Sequence, residues 1–395
     1  MEKVNVKPLP LVGEIFRAFE KNLGFQNPIK WPSAIGIILY HVVAVYWCQH
    51  YSFPVKWQTL VFALIMYVAT GFGITGGAHR LWTHKAYKAR LPLKLFLLMC
   101  FASSGQNSLE QWVRDHRVHH KYSDTDADPH NANRGLFFSH IGWLMLKKND
   151  QVLQRGKQID MSDITDDPLL RYFNKNFVYI KLLFCYALPL FINVALLGEN
   201  WRCAVAWQFF IRFLSMFHSE LTVNSLAHIY GYRPYNKNIV PKENRFVATC
   251  TLGEGWHNYH HAFPFDYKAA EHFDFFNWGT VFIRFFNRIG WAYDLREATP
   301  EMVNSIADRL GDGTPVHYPI TKSERRRKGT YRALNAMSAH HEATKKNRFR
   351  KIPRQAIPLN TKTKDRDKDS VRILKNLDMI PAAKMKPVDL NVRRY

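Results

Sequence analysis

Cysteine and acid are what this chain is short of. Its 395 residues hold five cysteines, Cys48, Cys100, Cys185, Cys203 and Cys250. An odd number without paired spacing argues against a disulfide framework and against thiolate metal sites. Several fall in apolar runs, where cysteine behaves as a small hydrophobe. Asp and Glu number 32 against 55 Lys and Arg, a net charge of +23. Length alone suggests two or three soluble domains. Charge, however, is scarce in four long apolar stretches, 33–51, 57–78, 177–197 and 204–227. Each is near the roughly 20 residues that cross a bilayer as a helix. Four such stretches in two close pairs argue against the buried helices of a soluble protein. The fourth carries Arg212 and Glu220, which are expensive in lipid and therefore informative. A fifth apolar run, 91–105, is too short to span and is expected to pack in a soluble or interfacial layer.

The connections within each pair, 52–56 and 198–203, are short and hold one cation each. The flanking segments hold most of the Lys and Arg, so the positive-inside bias places both termini and the 79–176 loop in the cytosol. No signal-peptide cleavage signature precedes the first stretch, which is expected to remain as an anchor. The expected division is a cytosolic segment 1–30, a membrane domain 31–315 and a basic tail 316–395. That tail carries 22 Lys and Arg against 7 Asp and Glu and no sustained hydrophobic period, so disorder is expected. Its charge suits anionic membrane lipid; a solvated tail without a partner is the alternative. Nucleic acid is not expected as a partner, since it explains neither the spans nor the histidines.

Histidine is the residue in surplus, and it is clustered. The stretch "WVRDHRVHHKYSDTDADPH" (112–130) contains H-x-x-H-H at His116, His119 and His120. On a helix these positions share one face. "GEGWHNYHHAFPFDY" repeats the pattern at His257, His260 and His261. "HRLWTH" sets His79 and His84 five apart, and "NSLAHIYGYRP" sets Asn224 and His228 four apart. Nine histidines thus form four groups, all placed on the cytosolic side by the topology above. A single structural zinc takes four ligands, and calcium and magnesium prefer oxygen. Imidazole suits iron, copper, zinc and nickel. Nine rings suffice for two metals, with a redox pair of irons activating O2 as the natural reading and two hydrolytic zincs as its rival. Asp115, Asp124, Asp128 and Glu254 are suited to accept the second ring N–H of ligating histidines.

The segments "GITGGAHRLWTHKAYKARLPLK", "RDHRVHHKYSDTDADPHNANRGLFFSHIGWL", "NSLAHIYGYRPYNKNI" and "GEGWHNYHHAFPFDY" resemble the animal acyl-CoA desaturases of the stearoyl-CoA desaturase type, in order over roughly 30–315. The resemblance implies an all-α integral membrane enzyme of the endoplasmic reticulum. Four transmembrane helices would carry a cytosolic helical cap around a His-ligated di-metal centre. It also implies two Fe2+ ions, O2 as co-substrate and a saturated acyl-CoA that receives a cis double bond, most naturally of the delta-9 type. Electrons would come from cytochrome b5 and its reductase as separate proteins, since no H-P-G-G haem motif occurs in the chain. The metal ligands carry over as His79, His84, His116, His119, His120, His228, His257, His260 and His261, with Asn224 acting through water. No catalytic residue separate from that centre is implied. Gln106, Asn107 and Trp112 match positions beside the bent acyl chain, and Arg114, Asp115, Arg134 and Lys148 positions that handle the CoA head group. A polyanionic head group needs cations, and a narrow apolar tunnel selects the bond by position.

Two departures stand out. The family opens its first span with W-R-N; here "KWPSAIG" puts Pro32 and Ser33 there, a good helix start that loses a cation and an amide. The second is "HSELTV" (218–223), where Glu220 replaces a small threonine at the tunnel bend. If helical, Glu220, Asn224 and His228 share one face, and a buried carboxyl must be paired, metal-bound or protonated. Glu220 is therefore a candidate substrate-contacting residue, or a partner of His218. The departures keep open a di-iron fatty acyl hydroxylase or a desaturase of another lipid, with a non-catalytic acyl-CoA-binding relative as a further alternative. Tyr67, about three turns before His79, is either a plug at the closed end of the tunnel or ordinary helix packing.

Overall fold

The computed structural model describes residues 11–271 and 277–315. The tail expected over 316–395 and the first ten residues lie outside this range. The described chain is mostly helical; its one sheet is the antiparallel pair β1 (Lys88–Ala89) and β2 (Ala292–Tyr293). Five helices open the fold: α1 (Leu11–Asn22), α2 (Trp31–Tyr51), α3 (Trp57–Phe72), α4 (Leu91–Ala102) and α5 (Leu109–Tyr122).

Three helices are long and apolar enough to cross a membrane, Trp31–Tyr51, Trp57–Thr83 and Phe177–Leu196. The first starts at Trp31 because Pro32 has no backbone N–H to leave unpaired in the opening turn. The second outruns the apolar stretch 57–78 by five residues, because α3 continues into wider turns from Gly73 to Thr83. The fourth apolar stretch also forms a helix, 201–224, but does not meet the same standard. It ends at Asn224, since Ser225 adopts φ −114° and ψ −74°, and a new turn covers Leu226–Ile229. The single helical face expected through Glu220, Asn224 and His228 is thus broken before its last member.

Buried Arg212 shows how a cation is carried in that helix. Its guanidinium donates to the carbonyls of Gln208 (3.1 Å), Ser103 (3.2 Å) and Cys185 (2.7 Å). Spreading its donors over three segments satisfies them without a carboxylate. Trp47 Nε1 donates to Arg202 O (2.9 Å), and Trp207 Nε1 to Ser52 O (3.0 Å), pinning α2 against 201–224.

The short apolar run behaves as a buried strut. In α4, Leu93, Leu97 and Phe101 join Trp82, Tyr87 and Ile283 in the main core. The approach of α3 to it is close because Gly73 faces α4; a Cβ there would lie 2.2 Å from Phe101 N. Core and strut together hold the Gly73–Thr83 segment, and with it the first two histidines, in place.

Candidate metal centre

The His79–His84 spacing is explained by the backbone. Five residues on an α-helix turn through roughly 500°, which points the two rings about 140° apart. Residues 73–83 instead form a π-helix, whose hydrogen bonds run i to i+5. The N–H of His84 donates to the carbonyl of His79 at 3.1 Å, so the two rings lie one wide turn apart and meet edge to face, with centroids 4.8 Å apart. Arg117 on α5 then clamps the end of this segment. It donates to Trp82 O at 2.8 Å and holds Asp163 through two bonds of 2.8 and 2.7 Å.

Two histidine groups result. Ligand atoms of His79, His84, His116, His120 and His260 all lie within 4.8 Å of one another, and those of His119, His228, His257 and His261 do likewise. The nine come from Trp57–Thr83 and its end, α5, the turn Leu226–Ile229 and the helix His257–Ala262. Within the first group Nε2 of His260 is 2.9 Å from Nε2 of both His79 and His120, and Nε2 of His120 is 3.1 Å from that of His116. Within the second, the Nε2 contacts of His261 with His119 and with His257 are 3.2 Å, and that of His257 with His228 is 3.1 Å.

The outer faces of three rings meet carboxylates. Nδ1 of His79 lies 2.9 Å from Glu254 Oε2, Nδ1 of His119 2.8 Å from Asp128 Oδ2, and Nδ1 of His228 3.0 Å from Asp124 Oδ2. A carboxylate only accepts, so these protons sit on Nδ1 and the Nε2 lone pairs turn inward. Burial, joined by repulsion from neighbouring rings, holds His84, His116, His120, His257, His260 and His261 well below the ordinary imidazole range. Converging lone pairs on neutral, buried rings repel one another unless a cation lies between them. The donor set, all nitrogen and held in part by carboxylates, fits redox-active or borderline-soft divalent metals.

Of the four carboxylates expected behind these histidines, Asp115 is the exception. It pairs with Lys148 instead, because its place on α5 faces the loop that carries that lysine.

A cavity of about 410 Å³ is lined by Lys30, Lys181, Trp112, His116 and Asn224 among others. Gln106, Asn107, Asp115 and Glu220 also line it. A second, smaller space of about 50 Å³ adjoins it and shares Trp112, His116, Glu220 and Asn224; its other walls include His79, His257, Ile74 and Met216. Trp112 stacks on His116 with centroids 4.9 Å apart, and its Nε1 donates to Glu220 Oε1 at 3.1 Å.

Three residues expected near a head group do not line the cavity. Arg114 pairs with Glu110 at 2.5 Å, the Arg134 guanidinium lies 3.6 Å from the centre of the Phe138 ring, and Lys148 holds Asp115. Lys30 and Lys181, which sequence reasoning passed over, do line it. Their signal was a cation placed beside or just inside an apolar stretch. Tyr67 is outside both linings. Its hydroxyl donates to Cys250 O (2.6 Å) and accepts from Ser219 Oγ (2.9 Å), and it packs on the main core.

Three helices long and apolar enough to cross a membrane, with two convergent imidazole groups that could hold metal ions beside a cavity, define a class of histidine-rich apolar helical proteins. Within it, residues 55–275 match the family described as fatty acid desaturase. The chain is 45% identical over 291 residues to an acyl-CoA Delta-9 desaturase of Acheta domesticus, covering 73% of this chain and 81% of that protein. It is 48% identical over 279 residues to an acyl-CoA Delta(11) desaturase of Choristoneura rosaceana, covering 70% and 83%. It is 42% identical over 293 residues to stearoyl-CoA desaturase 5 of Bos taurus, covering 74% and 87%. The chain belongs to the fatty acid desaturase family.

Proposed function

We propose that this protein is an acyl-CoA desaturase that inserts a cis double bond into a fatty acyl-CoA. One observation carries the reading: His79 and His116 of the five-histidine group and His257 of the four-histidine group border the same small space, which shares Trp112, His116, Glu220 and Asn224 with the larger cavity. A chain threaded past Trp112 and Asn224 would lie against both groups at once.

In this reading the helix 201–224 is a fourth span, and the termini and histidine-bearing segments form a cap on the cytosolic face of the endoplasmic reticulum. The nine histidines would hold two irons, with Asn224 beside them on the cavity wall. Bound irons supply the activation of O2, so that two hydrogens leave adjacent carbons and, with two electrons from cytochrome b5 and two protons, O2 becomes two waters. The protein's own residues position. Lys30 and Lys181 offer cations to the CoA phosphates at the wide end. Trp112, stacked on His116, forms one side of the bend, and the narrow apolar end beyond it, lined by Ile74 and Met216, limits how far the chain advances. Asp124, Asp128 and Glu254 keep the ligating rings in one tautomer.

Expression in cells lacking their own desaturase, followed by mass spectrometry of total fatty acids with double-bond localisation, tests the reading. A new monounsaturated acid is expected, absent when His119 and His120 are both replaced by Ala. Folded, iron-loaded protein that yields no unsaturated product from any acyl-CoA overturns it.

A further inference from the structure

The stretch 201–227 contains a single acidic residue, Glu220, and the fold places it on the wall shared by the two spaces. It keeps accessible surface although it sits deep among the helices; that surface is the cavity's. Nothing nearby neutralises it by pairing. His218, two residues before it, is engaged on both ring nitrogens, with His41 at 2.9 Å and His140 at 3.0 Å. Trp112 Nε1 donates to Oε1, and among the described residues no donor reaches Oε2. Gln106, Asn107 and Asn224 line the same cavity. The wall around Glu220 is therefore polar where it borders both spaces.

A plain methylene chain drawn past this point strips water from Oε2 and returns nothing. Leaving a buried acceptor unpaired weakens binding by on the order of tenfold to a hundredfold. A hydroxyl on the chain at that depth, able both to donate and to accept, restores the lost hydrogen bond at Oε2. We infer that Glu220 makes the tunnel bend a hydroxyl-recognising subsite, and that this enzyme prefers acyl chains bearing a hydroxyl at the carbon that reaches Glu220. The inference rests on the acyl-CoA reading above and deepens it by naming the substrate class.

The test uses the full-length protein in lipid nanodiscs, both iron-loaded and metal-free. Bound radiolabelled octadecanoyl-CoA is displaced by a series of octadecanoyl-CoAs, each hydroxylated at one different carbon along the middle of the chain. One position, or two adjacent ones, should bind about tenfold more tightly than the unsubstituted chain, with or without iron. Glu220→Thr should erase that preference, and Glu220→Gln, which keeps an acceptor oxygen in place, should retain part of it. A flat series in the wild-type protein, as expected if a permanent water satisfies Oε2, overturns the inference without recourse to any variant. A preference that persists in Glu220→Thr overturns it equally. Plain octadecanoyl-CoA that binds and is desaturated beside a flat series removes only this inference. Failure of every acyl-CoA to bind, with no unsaturated product, removes the desaturase reading and this inference with it.

Discussion

Oδ2 of Asp128 accepts from Nδ1 of His119 at 2.8 Å, while Nε2 of the same ring points to His261 at 3.2 Å. One carboxylate thereby decides which nitrogen of a candidate ligand is free. Asp128 is itself fixed: the N–H groups of Asp124 (2.8 Å) and His130 (3.1 Å) donate to its two oxygens. Burial pushes this carboxyl up, but His119 and His130 outweigh it and hold it below the usual carboxylate range.

Asp128→Asn should therefore weaken metal binding more than it weakens the fold. The amide can present N–H to Nδ1, forcing the imidazole proton onto Nε2 and blocking the ligating lone pair. A roughly 10- to 100-fold loss of metal affinity is expected, read as metal content after dialysis against a graded chelator. Metal content equal to wild type at every chelator concentration would sink the idea.

Arg80 behaves as a structural counter-charge. Fully buried, it donates from Nε (3.0 Å) and one terminal nitrogen (2.9 Å) to Glu254 Oε1, and from the other to Tyr267 O (3.0 Å) and Thr280 Oγ1 (3.1 Å). Arg80→Met leaves the buried Glu254 carboxylate without its cation, with only His79 Nδ1 beside Oε2. Removing one partner of such a pair costs about 3–5 kcal/mol. The thermal midpoint of the purified protein should fall steeply, with Arg80→Lys intermediate because it keeps the charge and loses the fork. Equal midpoints for all three proteins would show that Glu254 is neutral in the folded state.

How far the sequence disclosed this site can be argued from these same residues. The four apolar stretches and the nine histidines were legible, because hydropathy and i, i+3, i+4 spacing are local properties. The five-residue gap between His79 and His84 was not legible as geometry, because α periodicity separates those rings and only the π-helix of 73–83 reunites them. Nor was the break at Ser225, which lies inside an apolar run with no Gly or Pro to mark it. Partner choice was the other blind spot. Asp115 lies as close in sequence to the histidines as Asp124 does, yet it pairs with Lys148, 33 residues away. Glu220 takes Trp112, 108 residues away, and not its neighbour His218. Such pairings depend on how distant segments fold against one another, which local periodicity does not encode.

Glu243 sets a pH dependence of stability. Burial pushes its carboxyl from 4.5 to about 8, against the pull of the Tyr259 N–H, which donates at 2.7 Å, and with the nearby Glu271 adding to the rise. Between those two values the folded state binds a proton that the unfolded state releases. The group's contribution to stability is full below its ordinary value and is lost as pH rises toward about 8. Glu243→Gln keeps an acceptor for Tyr259 and removes the titration. The difference in thermal midpoint between variant and wild type should therefore grow in the variant's favour from pH 5 to about 8. A difference constant over that range would place the proton elsewhere.

Gly73 tests whether the close approach of α3 and α4 matters to the metal centre six residues further on. A Cβ at this position would sit 2.2 Å from Phe101 N and 2.3 Å from Cys100 C. Both are backbone atoms of a helix and cannot swing aside as a side chain does, so the helices must part. Interiors packed to crystal density pass such a shift on to their neighbours, and overpacking typically costs about 1–3 kcal/mol. Gly73 also begins the π-helix that brings His79 and His84 together. Gly73→Ala should thus lower the thermal midpoint and reduce metal content together. Gly24→Ala is the comparison: no atom lies within 4 Å of a Cβ there, but φ is +83°, so it should lower the midpoint modestly through backbone strain and leave metal content unchanged. Loss of stability in Gly73→Ala with full metal content would mean that the histidine groups are held by α5 and the helix His257–Ala262, without help from the α3–α4 contact.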